Sequence, residues 1–174
     1  DKSRPFYNMC DHILLNKISQ KDYERHLMKL AKKQWKKQMD DEVLATILAV
    51  TTRHSYYINL LCRRLWQREG CLSVADVLNE WQTIAAEKKY EVSGDFDKIT
   101  PIQRSILVEL AREPFARLAS KAVMARLNAS VTGVTHAMAD LVRRDYVFRD
   151  EQNVYRVLNP LMEYVLQQQA RSLN

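Results

Sequence analysis

Apolar residues recur at helical spacing through most of the chain. A first helix is predicted from Ser19 to about Met39, with Ser19 as N-cap and Asp22 three residues on in a capping-box arrangement. Tyr23, His26 or Leu27, Leu30 and Gln34 or Trp35 form its narrow apolar stripe. Lys29, Lys32, Lys33, Lys36 and Lys37 occupy the rest. Asp40 and Asp41 suit the positive end of a second helix, whose Val43, Leu44, Ile47, Leu48 and Val50 read as buried. A third, from about Ser55 to Glu69, carries Ile58, Leu61, Cys62, Leu65 and Trp66. A fourth starts at Ser73 and carries Val74, Val77, Leu78, Trp81, Ile84 and Ala85. Tyr56 and Tyr57, with Trp66 and Trp81, also read as core. Four such helices joined by short turns predict a small bundle.

Two stretches break the period. Residues 1–18 are the least helical, and Asp11 to Leu15 reads as a short extended piece. Residues 91–97 are polar and contain Gly94, so they are the expected domain boundary. Thr100 and Pro101 then provide an N-cap and a first helical residue. Ile102, Ile106, Leu107 and Leu110 face a core, and Pro114 ends that helix. A helix from about Ser120 to Leu127 follows, then one from Ser130 to Arg144 that should bury Val131, Val134, Met138, Leu141 and Val142. Tyr146 to Arg149 and Val154 to Val157 flank a polar turn and read as a hairpin. A last helix follows Pro160, from Leu161 to about Gln169.

This order of elements is that of a winged helix-turn-helix. The expected fold class is mainly α: an exit segment (1–18), a helical bundle (19–92) and a winged helix domain with a short β-hairpin (93–174).

Composition narrows the possibilities. Only 3 Gly and 4 Pro occur, leaving little material for loops. No run approaches the roughly 20 apolar residues of a membrane span, and the chain opens without an apolar leader or a Met. It is expected to be cut from something longer and to be cytoplasmic. Cys10, Cys62 and Cys71 are an odd number without paired spacing, so neither a disulfide framework nor a metal site is expected. The net charge of +6 is uneven. Residues 1–90 hold 16 Lys or Arg against 11 Asp or Glu, and residues 91–174 hold 11 against 10. The half that reads as a DNA-binding fold is therefore not the basic half.

Three stretches resemble the C-terminal region of archaeal-type AAA+ ATPases of the STAND group. Arg4-Pro5-Phe6-Tyr7, with His12 to Ile18, resembles the exit from the ATPase core. His54-Ser55-Tyr56-Tyr57, continuing to Trp66, is similar to the family's lid helix, which usually starts Gly-His-Pro-Tyr-Tyr. Ile99 to Arg104, with Val157 to Leu161, resembles its winged helix. Arg53 stands where the family prefers Gly, and Ser55 where it prefers Pro. The resemblance implies a missing N-terminal ATPase core as partner, and ATP and magnesium as cofactors of that parent. It also implies that Arg53, His54, Ser55 and Tyr56 lie near the nucleotide, and that Arg4 is an arginine finger. This chain itself holds no Gly-rich phosphate loop with Lys-Ser/Thr and no nucleophile–base–orienter set, so no cofactor and no catalysis are expected of it alone.

Two other functions compete with a nucleotide-driven switch. One is a DNA-binding module, contacting phosphates through Lys29, Lys32, Lys33, Lys36 and Lys37, with Trp35 stacked on a base. In that reading the third helix of the winged domain presents Ser130, Thr132, Thr135, His136, Arg143 and Arg144 to the groove. Against it, the lysine run is equally a solvated helix face, and no Arg or Lys lies in the first three turns of that third helix. The other is a helical scaffold for protein partners.

Overall fold

A computed structural model describes residues 18–35, 39–68, 71–118, 120–150 and 152–172. The elements are α1 (Gln20–Trp35), α2 (Asp41–Val50), α3 (Ser55–Leu65), α4 (Val74–Glu87), α5 (Lys89–Phe96), α6 (Pro101–Arg112), α7 (Lys121–Leu127), α8 (Val131–Arg143), β1 (Val147–Arg149), β2 (Tyr155–Val157) and α9 (Pro160–Ser172). The fold is mainly helical, with one small antiparallel sheet. Among the described residues no helix is long and apolar enough to cross a membrane.

The helix starts follow local chemistry. The Ser19 hydroxyl accepts the Asp22 amide, and the Asp40 carboxylate accepts the Glu42 amide at 2.8 Å. Ser73 with Asp76, and Thr100 with Gln103, form reciprocal capping boxes. Ser120 and Ser130 cap α7 and α8 by the one-way bond alone, each hydroxyl accepting an amide of the first turn. Each cap satisfies amides that have no partner within the helix.

α1 to α4 bury Tyr23, Leu27, Leu44, Ile47, Leu61, Leu65, Trp81 and Ile84 in one core. Arg64 and Arg68 of α3 and its C-terminal turn bind the α4 carboxylates on its edge. Arg68 reaches Glu80 at 2.9 Å and Asp76 at 3.0 Å, and Arg64 pairs with both Glu80 and Glu87.

α6 forms the centre of the second half and packs on α7, α8, α9 and β2. β1 and β2 pair with Val147 opposite Val157 and Arg149 opposite Tyr155. Phe115, in the α6–α7 connection, makes a single bridge to Tyr155, whose amide donates to the Phe115 carbonyl at 3.0 Å. Phe115 thus borders β2 on the edge opposite β1.

Three expectations change. Residues 91–97 were to be irregular, yet α5 runs through them, because Val92 and Phe96 are one turn apart and both buried. The buried residues form one cluster running from α1 to α9. Val131 and Val142 are 53% and 38% exposed, because the buried line of α8 is Val134, Ala137, Met138 and Leu141. Val131 sits in the first turn and Val142 one residue round from Leu141. Tyr56 and Leu78 are exposed too, while Tyr57 and Val77 beside them are buried. The extended piece expected at Asp11 to Leu15 lies outside the described residues.

Candidate functional site

The connection between α2 and α3 is four residues long, and its backbone is unusual. The Arg53 amide donates to the Leu48 carbonyl at 3.2 Å, and the Thr52 amide to the Ala49 carbonyl at 3.1 Å. This pair of bonds closes α2 as a Schellman turn, which needs a left-handed residue just after the cap. Thr52 fills that position at φ 44°, and Arg53 follows at φ 58°. Glycine is the residue that adopts such angles freely, and a β-branched residue there is strained by roughly 1–2 kcal/mol. Thr51 is fully buried, its hydroxyl donating to the Ile47 carbonyl at 2.6 Å.

His54 is the N-cap of α3 and makes no side-chain cap hydrogen bond to the helix. Its ring lies 5.1 Å from Tyr57, edge-on. Ser55, the first helical residue, shares a 2.6 Å hydrogen bond with the Tyr23 hydroxyl, tying α3 to α1. Tyr56 turns outward and is 52% exposed, with the Lys88 ammonium 5.8 Å from its ring centre. Of the four lid residues predicted from sequence, Ser55 and Tyr56 are exposed, whereas Arg53 and His54 are half-buried.

From His54 a line of rings runs inward. Tyr57 stands 5.7 Å from Trp81, and Trp81 stands 6.4 Å from Tyr164 of α9, both edge-on. The Tyr57 hydroxyl is within hydrogen-bonding reach of Asn159, and burial holds its phenol above the usual pKa range. Asn159 caps α9 through its side-chain oxygen, which accepts the Leu161 amide at 2.9 Å. Sequence reasoning missed Asn159 and Tyr164. An Asn before Pro160 is an N-cap signal that was available, whereas nothing in sequence pairs Tyr164 with Trp81.

No protein-family model, curated protein or solved structure matches this chain.

The remaining predicted contacts are dispersed. On α8, Ser130 is used as a cap, and the Thr135 hydroxyl donates to the Val131 carbonyl at 2.8 Å. Arg143 pairs with Asp140. Arg144 donates to the Lys98 carbonyl at 3.0 Å and covers the Tyr146 ring. Thr132 and His136 are exposed. Lys29, Lys32 and Lys33 are exposed on α1. Arg4, Lys36, Lys37 and the Trp35 side chain lie outside the described residues. On the hairpin, Arg149 stacks 4.3 Å over Tyr155, which in turn meets Phe115.

Proposed function

We propose that this chain is the lid and winged helix of a AAA+/STAND-type ATP-binding protein, and that it acts as a nucleotide-driven switch. The observation that carries the reading is the turn at Arg53-His54-Ser55. The family places Gly-His-Pro there, and each position has a physical reason in this turn. Arg53 has a left-handed backbone that suits Gly. His54 is the N-cap, and Ser55 is the first helical residue, where Pro fits. The substitutions keep the geometry that the family's residues favour.

The order α6, α7, α8, β1, β2, with Phe115 bordering the hairpin, supports the winged helix. In the parent protein, ATP and magnesium sit between the core and the lid. Nucleotide bound there sets the lid angle and biases a rigid-body switch. The ring line from His54 to Tyr164 couples the lid turn to α9, so the winged domain follows the lid and hides or exposes a partner surface. Arg4 is assigned to the exit from the core as an arginine finger.

The test is the gene upstream of the codon for Asp1, followed by hydrogen exchange on the parent protein. An in-frame phosphate loop with Lys-Ser/Thr is expected, together with ATP-dependent exchange in residues 51–57 and 159–166. A start codon immediately before Asp1 would overturn the reading.

A further inference from the structure

We infer that the outer face of α1 is a docking surface for the phosphate backbone of duplex nucleic acid, bound without sequence selection. At 3.6 residues per turn, Lys21, Arg25, Lys29, Lys32 and Lys33 fall within roughly a third of the helix circumference. The centre of that arc is opposite Tyr23, Leu27 and Ala31, which are buried. The helix is therefore seated by one face, and the opposite arc carries these five cations with one carboxylate, Asp22, among them.

The charge is not neutralised evenly. Asp22 pairs with Arg25 at 3.6 Å, and Glu24 and Asp41 share a groove with Lys21 and Arg25. No acidic side chain pairs with Lys29, Lys32 or Lys33 among the described residues, although ion pairs involve residues of α3 to α8. Three cations stay unopposed over little more than one turn.

The chemistry points to phosphate. Lys supplies charge without a directional fork, which suits a backbone rather than base edges. A membrane surface fits less well, because a helix lying on lipid inserts its apolar face, and α1 has committed that face to the core. A duplex fits better than a single strand, since the described outer face offers no aromatic ring for stacking. α8 is a weaker candidate for this contact, since Arg143 and Arg144 are engaged by Asp140.

Fluorescence anisotropy with a labelled duplex of about 20 mixed-sequence base pairs tests the surface. Three phosphate contacts predict that affinity falls about 40-fold between roughly 50 and 200 mM salt. The triple variant Lys29→Glu, Lys32→Glu, Lys33→Glu should lose binding at the lower salt while melting at the wild-type temperature. The neutral triple to Gln should flatten the salt slope by about 2.7. A control of equal charge change, Lys89→Glu, Arg117→Glu and Lys121→Glu, should retain most of the affinity. Absent binding at low salt overturns the inference. So does a control variant as impaired as the α1 variant, or capture by phosphatidylserine vesicles through the same lysines in place of the duplex.

Discussion

Trp81 of α4 stands edge-on to Tyr164 of α9, ring centres 6.4 Å apart, and its other side meets Tyr57 of α3. Trp81 is 2% exposed. It is the largest side chain shared by the bundle and the helices that follow it. Edge-to-face pairs add roughly 0.5–1.5 kcal/mol each beyond the area they bury. Trp81→Ala should cost about 3–5 kcal/mol by lost burial and the cavity left behind. Urea unfolding followed by far-UV circular dichroism checks the size. Tyr164→Leu should cost less, since it keeps the bulk and loses only the ring geometry. A Trp81→Ala variant as stable as wild type would mean that the two halves do not rest on this contact.

Gln103 is 4% exposed and does two things at once. Its side-chain oxygen accepts the Thr100 amide at 2.8 Å, and its amide nitrogen donates to Asp140 at 2.7 Å. It therefore closes the start of α6 and pins α8 to it. Gln103→Ala removes the acceptor of the Thr100 amide and leaves the partly buried Asp140 carboxylate short of a donor, which predicts a loss of about 2 kcal/mol. Thr100→Ala removes only the reciprocal cap and should cost about 1 kcal/mol. Thermal melts of both variants should rank them in that order.

Arg53→Gly should stabilise the protein. The φ of 58° disfavours any residue with a Cβ, and glycine relieves that cost while adding unfolded-state entropy. The net expectation is a gain of a few tenths to about 1 kcal/mol, read as a higher melting temperature. A fall in stability would mean that the Arg53 side chain makes a contact worth more than the backbone strain.

The pH dependence has two ends. Arg64 holds the Glu87 carboxyl low, Ser73 does so for Asp76, Arg143 for Asp140 and Arg156 for Asp150. Their folded pKa values lie below the unfolded ones, so the unfolded chain binds more protons as pH falls through about 4. Stability from these groups is present above that range and is lost on acidification. Glu87 is exposed and Asp76, Asp140 and Asp150 are half-buried, so all four reach solvent and added salt should shrink the effect, most of all at Glu87. At the alkaline end, burial pushes the Cys62 thiol up to about 12. The unfolded thiol ionises first, so stability falls as pH rises from about 9. Melting curves from pH 3 to 10 check both limbs. Peptide-level alkylation at pH 8 should label exposed Cys71 well before buried Cys62.

Much of the architecture was legible in the residues. Ser73 with Asp76 and Thr100 with Gln103 announce helix starts because a cap is a local event, decided within three or four residues. The stripe of Tyr23 and Leu27 on α1, with lysines opposite, follows from the helical period alone, and the two strands follow from β-prone runs on either side of the polar 150–153 turn. The stretch containing α5 was not legible, since two apolar residues one turn apart make a helix only when a core is there to receive them.

The candidate site divides in the same way. Its residues Arg53, His54, Ser55 and Tyr56 could be chosen from sequence because they are consecutive. Which of them face outward could not, because Tyr56 and Tyr57 are chemically identical and only packing separates them. Tertiary structure alone decided that Val131 and Val142 stay exposed, that Arg144 folds back on the Lys98 carbonyl, and that Trp81 meets Tyr164 from 83 positions further along the chain. Spacing along a chain specifies a helix face. Which distant face covers it depends on the free energy of burying both together, and no local pattern contains that term.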